Sequence, residues 1–508
     1  MRLESSKNTR KNFASGFIYR IAFLSFQFII RTVIIRQLGA EYSGLDTLFS
    51  SVLQVLNLAE LGVGNALVFS MYKPIVEDDS ATLCALMRMY KLLYRIIGLI
   101  IFAMGLMLIP FIPHLISGDV PAAVNVYIIY FINLLSTIIT YWLFSYRSSL
   151  LLAYQRNDVS NSIALGIEMI KFIMQIIILF SLKNYYLYLA VTLLTAALNN
   201  IIAAWFTHKM YPHINPVGNL PQQEARKIFI QIKDIFTAKL GGVITNSCDT
   251  IVVSSFLGLI DLTKYGNYYY IIILIRGFMN LIYQSARAGI GNKLILDAPS
   301  KTYRDFLSFS YICNFLIAIC TNAFLCGIQP FMQLWVTKKW MYPNLVAVMF
   351  AIYLYVHESA TVLITYKDAA GIWHKDRFRP LITAIANLSL NILMVQYIGI
   401  YGIILSTILS FLLIGVPWLI INSFKYIFKI SGQKYIIILL RNAALTALSG
   451  FLAYMICQKT SASTASIYIF FKNIAISLVT TCIIYGGITY RFRDATNARH
   501  MIKDMLRK

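Results

Sequence analysis

Apolar residues fall in long blocks along this chain, and polar residues gather in the short gaps between them. A bilayer span needs about 20 consecutive apolar residues. Blocks of that length are predicted as helices near 13–37, 43–70, 92–117, 122–147, 161–182, 186–207, 235–258, 265–291, 304–330, 342–366, 380–398, 401–423, 435–457 and 467–490. The expected fold class is an all-α integral membrane protein with about 14 transmembrane helices. Prolines such as Pro110 and Pro113 fall inside one block, where neighbouring helices can satisfy the freed carbonyls.

Polar gaps supply the domain organisation. A proline-bearing segment from Tyr211 through Pro212, Pro216 and Pro221 to Asp234 divides the blocks. Before it, span 1 ends in Leu38-Gly39-Ala40, and span 2 closes on Gly62-Val63-Gly64-Asn65. After it, span 7 ends in Leu257-Gly258, and span 8 closes on Gly289-Ile290-Gly291-Asn292. The offset is about 220–227 residues, which predicts parallel repeats. The expected layout is a six-helix lobe at 1–210, a cytoplasmic linker at 211–234, a second six-helix lobe at 235–430, and two additional helices with a basic tail at 431–508. Two such lobes would leave a central cavity where alternating access can operate.

Composition strengthens the membrane reading. The 508 residues are 58% hydrophobic and only 13% charged, against about 25% for a soluble domain. Mean hydropathy is +0.68. The net charge of +23 would suggest nucleic acid in a soluble chain, yet no basic soluble domain is present to hold one. With the N-terminus inside, tails and inner loops carry 28 Lys and Arg, outer loops five, and the spans or their ends 11. That bias places both termini in the cytoplasm. The polar, basic start is followed by an apolar run too long for a signal-peptide core, so it is taken as the first span. Seven cysteines form no C-x-x-C pair and read as small buried residues.

Ionisable residues inside spans are costly and mark candidate function. Arg20, Gln27 and Arg31 share one face of span 1. Arg276, Asn280 and Arg287 form a similar stripe in span 8, and Arg276 is nearest the middle. Span 7 carries Lys239, Asn246 and Asp249 on approximately one face. Arg147 ends span 4 where a phosphate or a lipid headgroup would meet it. Glu60, Glu168, Asp249 and Glu358 are the candidate ion-coupling carboxylates, with Glu168 also placed to pair with Lys171 three residues on. His357 adjoins Glu358 and by itself reads as a structural histidine. Within the spans cations outnumber anions, which favours an anionic substrate and suits phosphate. No Walker A loop, H-E-x-x-H or nucleophile elbow occurs, so no built-in ATPase and no enzyme is expected. No metal site and no cofactor are expected beyond coupling to H+ or Na+.

The segments RQLGAEYSGL (36–45), LAELGVGNAL (58–67) and NSCDTIVVSSFLGLIDLTKYGNYY (246–269), with the Arg20–Arg31 span, resemble polysaccharide flippases of the O-antigen (Wzx) type. These belong to the multidrug/oligosaccharidyl-lipid/polysaccharide exporter superfamily. The resemblance implies translocation of an undecaprenyl-pyrophosphate-linked oligosaccharide from the inner to the outer leaflet of a bacterial cytoplasmic membrane. It implies use in O-antigen, capsule or exopolysaccharide synthesis. Arg20, Arg31 and Arg276 would then contact the pyrophosphate, and Asp249 would be a coupling site. Implied partners are the lipid-linked oligosaccharide, membrane lipid, and a polysaccharide polymerase with its chain-length machinery, but no nucleic acid. Alternatives are a lipid II flippase, an ion-coupled multidrug antiporter, and a non-transporting scaffold of a polysaccharide assembly complex. Span 1 carries arginines and neither acid nor proline, which argues against the antiporter.

Overall fold

A computed structural model describes residues 5–118, 120–460 and 466–506, without the side chains of 5–10, 13, 238, 246, 288, 502 and 504–506. Asn246 is therefore outside the described side chains. Every regular element among the described residues is helical. Eleven helices are long and apolar enough to cross a membrane, or up to 13 when two bent pairs each count as one span. One of the eleven, Gln222–Leu296, is 75 residues long and breaks at Gly258 (φ 87°). Counting it as two at that break brings the thirteen to the fourteen expected from the apolar blocks. The chain is a multi-pass membrane protein.

Two compact units divide at Thr263 and Lys264. Unit 1 contains α1 (Ser5–Gln37), α2 (Ala40–Leu56), α3 (Val63–Val76), α4 (Ser80–Leu108), α5 (Val126–Trp142), α6 (Ser145–Ala153), α7 (Asn157–Ser181), α8 (Tyr185–Met210) and the first part of α9 (Gln222–Leu296). Helix α1 lies along α7, while α8 packs on α5, α6 and α7. Residues 235–263, expected to open the second lobe, make close contacts inside unit 1. Ser247 Oγ donates to Gln54 Oε1 at 3.1 Å, and Thr263 Oγ1 donates to the Ala40 carbonyl at 2.6 Å. The expected linker 211–234 is irregular only to Pro221, because α9 already begins at Gln222.

Two blocks that look continuous in sequence are bent. Span 43–70 breaks between α2 and α3 by 43°, and span 122–147 breaks between α5 and α6 by 53°. Gly62 (φ 91°) turns the first, and Phe144 (φ 54°) turns the second. One of the two expected motif pairs shares its backbone conformation. Gly39 and Gly258 follow equivalent Leu residues and both take left-handed φ, of 120° and 87°, which glycine alone adopts freely. The second motif pair diverges, because Gly62 is left-handed whereas Gly289 lies inside α9. Helix α4 starts at an Asp79 cap, earlier than the apolar block at 92. The Thr82 hydroxyl and N–H hold that carboxylate below its ordinary range.

Unit 2 is organised around α10 (Pro299–Val336) and α11 (Asn344–Ala369). After the short α12 (Trp373–Asp376) come α13 (Arg379–Ile398), α14 (Ile400–Ser410) and α15 (Val416–Ser423), then α16 (Gln433–Thr460), α17 (Ile467–Thr481), α18 (Gly487–Thr489) and α19 (Arg493–Leu506). A π-helical turn at Phe411–Gly415 joins α14 to α15. Pro417 lies just beyond, and its missing N–H cannot hold the regular ladder there. Asn322 of α10 donates to Ser449 Oγ of α16 at 3.0 Å and to Thr481 Oγ1 of α17 at 2.9 Å. The last two spans are thus tied to α10 by buried polar bonds, as expected where lipid removes the hydrophobic drive between helices. Large apolar side chains such as Ile437, Leu440 and Phe451 point outward instead.

Helix packing in unit 1 requires small residues at close approaches. A Cβ on Gly44 would stand 2.4 Å from the Leu259 carbonyl oxygen, a backbone atom with little room to move. Gly166 of α7 faces open space. Thermal unfolding of the full chain in detergent is expected to show Gly44→Ala losing about 1–3 kcal/mol. Gly166→Ala should be neutral or gain up to about 1 kcal/mol. Equal effects at both sites would contradict the close α2–α9 contact.

Candidate functional site

The second part of α9 carries Tyr269, Arg276 and Tyr283 seven residues apart, a spacing that keeps them on one face. All three turn towards α11. Arg276 Nη1 reaches the hydroxyls of Tyr269 at 3.4 Å and Tyr353 at 3.5 Å. Its Nη2 lies 2.9 Å from His357 Nε2, and its Nε lies 3.5 Å from Glu358 Oε1. Tyr283 Oη donates to the Glu358 carbonyl at 3.4 Å.

Because a guanidinium only donates, His357 Nε2 accepts. The ring proton then sits on Nδ1, which faces Glu358 Oε1 at 3.3 Å. The geometry therefore assigns a neutral imidazole bridging Arg276 to Glu358. Thr361 Oγ1 fixes the turn by donating to the His357 carbonyl at 2.9 Å, and the Phe411 ring lies 5.1 Å from the imidazole at the π-helical turn. The Glu358 side chain is 4% exposed and that of Arg276 23%. Glu358 Oε2 has no hydrogen-bond partner among the described residues.

Chemically, this is a guanidinium held in place but not saturated. Only the His357 contact is short, and the other three lie at the limit of hydrogen-bond range. A phosphate oxygen on the exposed side would make shorter, charge-assisted bonds. The sequence pattern picked out Arg276 and Glu358 separately. What it missed is that they form one pair bridged by His357, since a helix-to-helix contact 82 residues apart leaves no local periodic signal.

Unit 1 holds a second group of charges. Arg31 is half-buried, donating to Thr47 Oγ1 at 3.1 Å and to the Thr263 carbonyl at 3.2 Å. Asp46 of α2 lies within electrostatic reach of Arg31 and of Lys171 on α7. Lys171 is also paired with Glu168 at 2.6 Å. Asp46 and Glu168 bring negative charge to this group, so the excess of positive charge counted along the spans is smaller here. Arg20 on the same helix is exposed and Gln27 half-buried.

The remaining candidates stand apart from these two groups. Glu60 lies at the α2–α3 bend, where Tyr94 Oη donates to its Oε1 at 2.8 Å and Tyr90 Oη donates to Tyr94 at 3.0 Å. Asp249 is buried on α9, Lys239 and Asn280 are exposed, and Arg287 pairs with Asp368 at 3.3 Å. Arg147 of α6 contacts His208 and Asn215. Among the described residues no group of three or more His, Cys, Asp or Glu could hold a metal ion.

No protein-family model matches the chain. No curated protein matches it either. Solved structures do. The lipid II flippase MurJ in an inward closed conformation aligns with a TM-score of 0.66 at 15% identity, covering 94% of this chain and 98% of the flippase. An inward-facing multidrug resistance MATE family transporter of the MOP superfamily aligns with a TM-score of 0.59 at 12% identity, covering 86% of this chain and 96% of the transporter. An outward-facing conformation of a MATE family transporter gives 0.55 at 13% identity, covering 86% and 95%. The chain thus shares the fold of these solved structures, which are of transporters and a flippase.

The Glu60 contacts make a separable prediction. Tyr94→Phe removes the short donor to a half-buried carboxylate and is expected to cost about 1–3 kcal/mol in thermal unfolding. Tyr90→Phe removes a bond between two neutral hydroxyls and should cost about 1 kcal/mol or less. The reverse order would show that Tyr94 does not hold Glu60.

Proposed function

We propose that this chain is a flippase that moves an undecaprenyl-pyrophosphate-linked oligosaccharide from the inner to the outer leaflet of a bacterial cytoplasmic membrane. It works by alternating access, with both termini cytoplasmic, in O-antigen, capsule or exopolysaccharide synthesis. Its helices form two compact units that divide at Thr263 and Lys264. The observation that carries this reading is the under-committed guanidinium of Arg276 in the apolar depth of a transporter fold. An intramembrane cation with three long contacts and an exposed side suits a phosphate that arrives and leaves. Arg20, Gln27 and Arg31 of α1 are the candidate phosphate contacts of unit 1.

Coupling follows from the same geometry. A pyrophosphate that takes the Arg276 guanidinium leaves Glu358 without its counter-ion. A buried carboxylate in that position binds H+ or Na+. Glu358 is thus the first coupling group, with Asp249, Glu60 and Glu168 as further candidates. A lipid II substrate is the second reading, favoured by the likeness to the MurJ flippase along nearly the whole chain. Both substrates present a polyprenyl pyrophosphate, so the role of Arg276 is unchanged.

The test uses the purified full chain in liposomes containing a fluorescent polyprenyl-pyrophosphate disaccharide, with a membrane-impermeant quencher reporting leaflet exchange. Wild type should accelerate exchange. Arg276→Lys keeps the charge but loses the planar fork, and should slow exchange about tenfold or more with unfolding temperature nearly unchanged. Proton-driven efflux of a cationic dye without lipid exchange would establish the antiporter instead. Neither activity in a folded protein would leave the scaffold reading.

A further inference from the structure

Lys171 on α7 and Arg156 just before that helix are ion-paired with carboxylates in unit 1, but among the described residues a cluster of cations on α4 and α6 is not. Arg88, Lys91 and Arg95 fall at i, i+3 and i+7 on α4, which sets them along one stripe about 10 Å long. Arg147 of α6 meets this stripe. Its guanidinium and the Lys91 ammonium both lie against the Tyr146 ring, 5.9 and 5.7 Å from the centroid. Arg88 and Arg147 also grip the same irregular segment. Arg88 Nη1 donates to the Gly218 carbonyl at 3.0 Å, and Arg147 Nη2 donates to Asn215 Oδ1 at 3.3 Å. The Asn215 N–H points back to Cys84 Sγ, one turn before Arg88, at 3.4 Å.

The partners of these cations are a carbonyl, an amide, a tyrosine face and the His208 ring, whose Nδ1 lies 3.4 Å from Arg147 Nη1. Among the described residues none of Arg88, Lys91, Arg95 and Arg147 is ion-paired with a carboxylate, whereas Arg156 nearby is paired with Asp158 at 2.9 Å. Each guanidinium has five N–H donors, and these contacts use one or two of them. Like charges held this close repel, and a protein gathers them where an anion neutralises them.

We propose that Arg88, Lys91 and Arg147, aligned by Tyr146 and the 215–218 segment, form a binding site for a phosphate-bearing lipid headgroup, with Arg95 one turn further along the stripe. Two sources supply that chemistry: an anionic phospholipid of the bilayer, or the pyrophosphate of a polyprenyl-linked substrate at entry. The site depends on the proposed flippase function only for the second source. Its failure would leave Arg276-dependent exchange intact, so the two proposals fail separately.

The test is titration of the full chain in detergent, read by native mass spectrometry, with two probes: phosphatidylglycerol and farnesyl pyrophosphate. Arg147→Ala and the Arg88→Ala/Lys91→Ala pair should each weaken binding about tenfold or more, with Arg147→Lys intermediate. Lys459→Ala, on an exposed residue of another helix, is the control. Loss of phosphatidylglycerol binding alone identifies a bilayer headgroup. Loss of farnesyl pyrophosphate binding alone identifies a substrate entry site, and loss of both identifies a shared phosphate site. Wild-type binding of both probes by the folded variants, or weakening no larger than in Lys459→Ala, overturns the proposal.

Discussion

A charge inside a bilayer must bring its own counter-ion or reach water, and that constraint orders the ionisable groups of this chain. In unit 2, Arg276, His357 and Glu358 compensate one another across α9 and α11. In unit 1, Asp46 lies within reach of Arg31 and Lys171, and Lys171 pairs with Glu168. Elsewhere the same demand is met near helix ends. Asp376 binds Arg379 at 2.9 Å and Lys367 at 3.4 Å, while Asp494 binds Arg441 at 2.5 Å. Breaking a buried pair by removing one member is far more costly than the pair itself is stabilising. These groups therefore constrain how the helices carrying them can pack.

Compensation is incomplete at the pair in unit 2. The Arg276 contacts are mostly long and one side is exposed, and Glu358 keeps an oxygen without a partner among the described residues. A fully satisfied pair would resist exchange with a ligand. Here the carboxylate is held only at 3.5 Å and keeps one oxygen open, which is the geometry the flippase proposal rests on.

The sequence carries the fold well, because fourteen apolar blocks separated by polar gaps permit little else. The breaks were less legible. Gly62 and Phe144 interrupt blocks whose hydropathy is continuous, and only backbone φ shows the turn. Gly39 and Gly258 were visible as a repeated Leu-Gly, and both proved left-handed. At the site, helical spacing marked Arg31 and Arg276, and Glu358 stood out as a carboxylate inside a span. It could not show which helices face each other, so the placing of Asp46 by Arg31 and the bridging role of His357 emerged only from packing. Arg88, Lys91 and Arg95 obey the same i, i+3, i+7 rule, and that spacing was a usable signal.

A double-mutant cycle on Arg276 and Glu358, read by thermal unfolding of the full chain, tests the central claim most directly. Mutual compensation predicts that Arg276→Ala alone costs about 3–5 kcal/mol by stranding Glu358. Combining it with Glu358→Gln should recover much of that loss, a coupling of at least about 1 kcal/mol. Strictly additive losses would mean that the two charges do not compensate each other.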